Sequence, residues 1–205
     1  MLKGKSMAII YLHGFGSAGT SPKVDLLQGS FPDWSVVAPN LPPAPKAAMK
    51  QILRTVETLA DRGERKLLFV GTSLGGFYSW YLSAMLQVPA VMINPALRPH
   101  ETTARWVGRN TNYATGEVFE WEQDFLDDLR EMAEFAESKY DPELITVAVA
   151  LDDELLDSRE TIRFFGSSTQ VHALDEGGHR FSNLRGVVPY IRRAYEDIRK
   201  EPKIQ

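Results

Sequence analysis

The chain has 205 residues, of which 43% are hydrophobic and 24% charged, with a formal net charge of -4 and no cysteine. That size suits one substantial core and does not require a second, and the mild acidity excludes the broad basic footprint of a nucleic-acid-binding protein. The lack of thiols excludes disulfide staples, a cysteine nucleophile and thiolate metal sites, so any catalysis falls to Ser, His, Asp or Glu.

Lysines before the apolar run Met7 to Leu12 imitate the start of a secretion signal. The run is too short for one, however, and leads into His13-Gly14 instead of a small-residue cleavage site, so it reads as the first strand. No stretch approaches the roughly 20 apolar residues that span a bilayer, and a cytoplasmic protein is expected, with no membrane and no nucleic acid among its partners. After the glycine-rich loop His13 to Ser21, Pro22 fits the first turn of a short helix. Trp34 to Val37 is the second strand candidate, closed by a rigid proline cluster. From Pro45 to Arg62 the apolar residues Met49, Ile52, Val56 and Leu59 recur at helical spacing, and Gly63 ends the helix.

The next stretch, Lys66 to Gly76, is an apolar strand that runs into Gly71-Thr72-Ser73-Leu74-Gly75-Gly76 and then into a buried helix from about Leu74 to Met85. Strand, tight glycine turn and helix, with a serine at the apex, is the setting of a nucleophile elbow. Pro89 to Ile93 is a further strand, followed by Asn94-Pro95-Ala96. Leu97 to Glu120 has weak periodicity and reads as a long loop, with Trp106, Tyr113, Phe119 and Trp121 either lining a pocket or pinning a surface excursion. Beyond a helix marked by Phe125, Leu129, Met132 and Ala136 come a fifth strand, Leu144 to Leu151, a helix to about Phe165 and a sixth strand, Gln170 to Leu174. A final helix spans about Leu184 to Arg199, with Pro189 near its start. Six strands alternating with helices predict a mostly parallel sheet with helices on both faces, in a single domain over residues 1–205 with residues 97–140 as a small pocket-covering excursion.

A serine hydroxyl needs a neighbouring base, usually a histidine whose second nitrogen is held by a carboxylate. Ser73 after strand three, acids after strand five and His179 after strand six supply the three types in the chain order Ser, Asp, His. Gly177-Gly178 places His179 on a loop directly after a strand, whereas His13 reads as a structural group of the first loop, His172 as a strand residue and His100 as solvated. Asp152, Asp153, Glu154 and Asp157 all lie in the acidic region; Asp153 is chosen because it leaves room to turn toward His179, while Asp157 is placed to cap the following helix. Donors for a developing oxyanion are assigned to the amides of Leu74 and Phe15. No compact histidine set points to a metal, and no cofactor is expected.

The residues Tyr11 to Ser17, Gly71 to Phe77, Asn94-Pro95-Ala96 with Arg98-Pro99, Asp153-Glu154 with Leu156-Asp157, and Gly177-Gly178-His179 with Phe181 together resemble the α/β-hydrolase superfamily, and more narrowly the small bacterial YqiA/YcfP-like esterases. The resemblance implies a three-layer α/β-hydrolase fold without a large cap, a serine triad of Ser73, Asp153 and His179, an oxyanion hole from Phe15 and Leu74, and activity on small carboxylic esters with short acyl chains. Asp152 departs from the pattern, standing where a glycine is usual before the acid. Thioesterase, lactonase and peptidase activity use the same machinery, and a non-catalytic binding protein on the same fold is a further alternative. Arg98, Arg105, Arg109 and Arg180 are candidates for attracting an anionic substrate, or are solvated surface groups.

Overall fold

The computed structural model describes residues 7–181 and 184–198. Six parallel strands form the main sheet: β1 (Met7–Leu12), β2 (Ser35–Val37), β3 (Lys66–Thr72), β4 (Ala90–Ile93), β7 (Ile145–Ala150) and β8 (Gln170–Leu174), in the spatial order β2-β1-β3-β4-β7-β8. The central strands are apolar on both sides because helices cover both faces. Alternation within β1 divides the core: Ala8, Ile10 and Leu12 face one side, Ile9 and Tyr11 the other.

On the first side pack α2 (Pro45–Asp61), α3 (Leu74–Leu86), α5 (Gln123–Lys139) and α6 (Ser158–Phe165), through residues such as Ile52, Phe77, Trp80, Leu129 and Phe165. The stripe Ala48, Met49, Ile52 and Leu59 is the buried face of α2, as its spacing requires. On the second side lie α1 (Pro22–Ser30) and α7 (Val188–Ile198), through Leu27 and Ile191. Pro189 sits in the first turn of α7, where its missing N–H costs nothing; the expected end of this helix at Arg199 lies outside the described residues. Among the described residues no helix is long and apolar enough to cross a membrane.

The chain leaves β1 for the β2 edge and then returns across β1 to β3, so the loops after β1 and β3 diverge at the carboxyl ends of neighbouring strands. Such a switch point opens a crevice.

The stretch expected as a loop contains regular structure instead. A short helix α4 (Pro99–Thr102) and a 3-10 turn (Ala104–Trp106) lead into an antiparallel pair, β5 (Gly108–Thr111) and β6 (Val118–Trp121). Its strands are four residues each, and β5 is polar throughout, so neither helical nor strand periodicity marks it. The turn is closed by polar side-chain chemistry: Asn112 Oδ1 accepts from the amides of Ala114 and Thr115 at 2.9 and 3.1 Å, and Gly116 takes φ +77°.

Candidate active site

Ser73 sits between β3 and α3 with φ 57° and ψ -120°, a region that L-residues enter at a cost of about 1–3 kcal/mol. The surroundings impose it. The Ser73 amide donates to Ile93 O at 2.9 Å, and its carbonyl accepts from Phe77 and Ala96. A Cβ on Gly71 would lie 2.0 Å from the Gly75 carbonyl, and one on Gly75 would lie 2.0 Å from the Leu12 carbonyl. The first glycine therefore lets strand and helix close, while the second lets α3 press against the end of β1. Ser73 Oγ has no hydrogen-bond partner among the described residues, and Ser73 lines a cavity of about 540 Å³.

His179 lines the same cavity. Its Nδ1 is 3.1 Å from each carboxylate oxygen of Asp153, whose side chain is 1% exposed. A carboxylate accepts only, so Nδ1 carries the proton and Nε2 is left as the acceptor. Burial pushes the Asp153 carboxyl up, but the hydrogen bond from His179 and those from the amides of Leu156 and Leu155 outweigh it and hold the group below the usual range.

The neighbouring acids have separate tasks. Asp152 Oδ1 accepts from the Gly178 amide and Glu154 Oε2 from the His179 amide, each at 2.8 Å. The Gly178 amide is also what chiefly lowers the Asp152 carboxyl below its ordinary value. Asp157 caps α6 by accepting from the amides of Arg159 and Glu160. Of the four candidate acids, only Asp153 reaches the imidazole.

A residue that pattern reading missed holds this loop from below. Asn94 is buried with φ 42°, its Oδ1 accepts from the Ala150 amide at 2.8 Å, and its Nδ2 donates to the carbonyls of Gly178 and His179 at 2.9 and 3.2 Å. One amide thus ties the ends of β4 and β7 to the histidine loop. The available signal was an Asn at the end of an apolar strand, since asparagine is among the few non-glycine residues that enter positive φ readily.

The loop after β1 lies against the serine turn: a Cβ on Gly14 would be 3.4 Å from Ser73 Cβ. His13 fixes it, with Nδ1 2.9 Å from Gly14 O and Nε2 accepting from the Leu41 amide at 3.0 Å. Burial lowers the His13 pKa, which keeps the ring neutral and able to use one nitrogen each way. The β5-β6 hairpin grips the loop from the other side, because Tyr113 N donates to Gly16 O at 2.9 Å and Asn112 Nδ2 to Ser17 O at 2.7 Å. The Phe15 ring packs among Trp106, Phe119 and Trp121, so the aromatics of the excursion wall this region. Phe15 and Leu74 line the cavity with Ser73, and the Leu74 amide opens α3, where positive dipole favours an anion. A second cavity of about 420 Å³ lies beyond the same loop, bordered by His13, Tyr78 and Trp121.

One expectation is corrected. His100 is not solvated: its side chain is 15% exposed, and Nδ1 is buried without a partner among the described residues. Arg98 lies outside the crevice, pairing with Glu160 at 2.7 Å. His172 stacks on Tyr190 with ring centres 3.6 Å apart, a packed strand residue.

The model of the Uncharacterised protein family (UPF0227) matches residues 8–194. The chain belongs to this family. Its UPF0227 relatives include protein YcfP of Salmonella paratyphi A, 28% identical over 188 residues, or 90% of this chain and 95% of that one. Among solved structures, this UPF0227 chain is similar to Est1E of Butyrivibrio proteoclasticus with ferulic acid bound, at TM-score 0.76 and 13% identity over 97% of this chain and 92% of that one. It is also similar to the esterase domain of a Rhodothermus marinus protein, at TM-score 0.71 and 15% identity over 98% and 89% of the two chains. At such identities the likeness establishes the fold, that of the α/β hydrolases, as the strand order and crevice indicate.

Proposed function

We propose that this chain is a serine hydrolase that cleaves carboxylic esters with short acyl chains, with Ser73 as nucleophile, His179 as acid and base, and Asp153 as the carboxylate that orients it. The observation carrying this reading is the strained Ser73 turn opening into one cavity with an imidazole whose Nδ1 is held by a buried carboxylate. Esterase function in proteins of the same fold supports it.

Substrate binding brings His179 Nε2 to the Ser73 hydroxyl, since such bonds commonly tighten only in the substrate complex. Ser73 Oγ bonds to the carbonyl carbon as its proton passes to His179 Nε2, and the amides of Phe15 and Leu74 receive the negative oxygen. One such donor is worth about 3–4 kcal/mol in acyl transfer. The carbon–oxygen bond to the alcohol then breaks while His179 returns the proton to that oxygen. A water repeats the sequence in reverse: its oxygen joins the acyl carbon, its proton goes to His179, and Ser73 leaves with that proton. No cofactor enters these steps.

In this reading residues 1–205 act as one domain, with residues 97–140 as a small cover whose aromatics wall the crevice. Steady-state turnover of matched 4-nitrophenyl butyrate, a butyryl thioester and a lactone tests the reaction class. The oxygen ester is expected to have the highest kcat/KM, and Ser73→Ala to lower it by about 10⁴-fold or more while the protein stays folded. A clear thioester or lactone preference replaces the ester assignment, and an active Ser73→Ala overturns the nucleophile.

A further inference from the structure

Three arginines line the cavity that contains Ser73 and His179: Arg105, Arg109 and Arg180. They come from two separate parts of the chain, the first two from the excursion before and within β5 and the third from the residue after His179. Among the described residues no aspartate or glutamate lines this cavity, and none of the three arginines has a carboxylate within ion-pairing distance. Arginines elsewhere behave differently: Arg98 pairs with Glu160, Arg130 with Asp127 and Arg163 with Asp157.

The chain holds 27 acidic and 23 basic residues, so a crevice with three cations and no anion runs against its overall balance. Asp152 and Glu154, beside the histidine loop, are turned to the amides of Gly178 and His179, and Glu120, opposite Arg109 in the β5-β6 pair, makes no ion pair with it.

Two of the three guanidiniums also lie over an aromatic ring. That of Arg180 lies 5.1 Å from the centre of the Tyr113 ring and that of Arg105 lies 5.3 Å from the centre of the Trp106 ring. Stacking restrains the plane of a guanidinium and leaves its edge donors free, the arrangement that accepts a carboxylate in fork fashion. Clefts lined by one sign of charge concentrate ligands of the opposite sign.

We infer that the ester taken by this site carries an anionic oxyacid substituent, such as a carboxylate, which Arg105, Arg109 and Arg180 bind while Ser73 attacks the ester carbonyl. The inference rests on the hydrolase reading for its reaction and on the arginines for its selectivity. The substituent belongs either to the acyl group or to the leaving alcohol, and the probes separate the two.

The experiment compares kcat/KM for 4-nitrophenyl butyrate with that for mono-4-nitrophenyl glutarate, charged on the acyl side, and for the butyrate ester of 5-hydroxy-2-nitrobenzoate, charged on the leaving side. At low ionic strength one charged ester is expected to exceed the neutral one about tenfold, with the ratio falling toward one in high salt. The same ratio is expected to fall about tenfold in Arg109→Ala and Arg180→Ala, and to recover in part with lysine at either position. In parallel, calorimetry on Ser73→Ala measures binding of both charged esters against 4-nitrophenyl pentanoate, with one of the charged ligands about tenfold tighter. Turnover of the neutral ester with both charged ratios near one, insensitive to arginine and salt, overturns the inference and leaves the hydrolase reading standing. Absence of all turnover with preferential binding of either charged ester supports the anion site and overturns the hydrolase reading, while equal binding of both charged esters and the neutral one by Ser73→Ala counts against the anion site.

Discussion

Replacing Asn94 by aspartate keeps the outline of the side chain and exchanges its donor for an acceptor. In the native protein Nδ2 donates to Gly178 O at 2.9 Å and His179 O at 3.2 Å, while Oδ1 accepts from Ala150 N at 2.8 Å. An aspartate keeps the last bond but turns a carboxylate oxygen toward two carbonyls at a buried position. Losing two bonds of about 1 kcal/mol each and burying an unpaired charge together give a destabilisation of about 3–5 kcal/mol. For a chain of this length, that lowers Tm by about 10 °C. Asn94→Ala loses all three bonds, strands the buried Ala150 amide and must hold φ 42° without an asparagine, so a loss of similar size is expected. Because the lost donor holds the histidine loop, kcat on a neutral short ester is expected to fall about tenfold or more in Asn94→Asp with little change in KM, at temperatures where both proteins are folded. Scanning calorimetry and steady-state kinetics check the two halves. An Asn94→Asp protein with native Tm and native kcat refutes the reasoning that this amide positions His179.

Two further outcomes are expected. Gly75→Ala places a Cβ 2.0 Å from the Leu12 carbonyl and 2.7 Å from that of His13, so the end of β1 must move; urea unfolding is expected to show a loss of about 3 kcal/mol or more, whereas Gly29→Ala in α1, with nothing within 4 Å, is neutral or stabilising by up to about 1 kcal/mol. His13 is neutral in the fold with its pKa lowered, so its contribution is fully present above the ordinary histidine value of about 6.5 and is lost as pH falls from there toward the folded-state value. Protonation would put a hydrogen on Nε2 facing the Leu41 N–H. Urea unfolding of wild type and His13→Gln from pH 8 to 5 is expected to show a steeper loss in wild type, by at most about 1.4 kcal/mol per pH unit for one proton, and parallel curves would contradict the neutral clamp.

Much of the fold was legible because its signals are local. The apolar runs of β1, β3, β4 and β7, the stripe on α2 and the glycines around Ser73 each follow from a two-sided sheet, a helix face or a close approach. The order of serine, acid and histidine was readable for the same reason, since each follows a strand. What escaped depends on contacts between distant segments. The β5-β6 hairpin is short and polar, and its grip on Gly16 and Ser17 joins residues far apart in sequence. Asn94 acts on a loop at Gly178 and His179, and only the folded chain brings them together. The same holds for Asp152, whose carboxylate finds its partner on the Gly178 amide, 26 residues further along the chain.

The central claim is that the Ser73 hydroxyl is the acyl-transfer nucleophile, and the most direct measurement is intact and peptide mass spectrometry after treatment with a fluorophosphonate. The account predicts one adduct per chain on the peptide containing Ser73, lost in Ser73→Ala and slowed in His179→Ala. Labelling at another residue, or an unlabelled protein that still turns over esters, contradicts it.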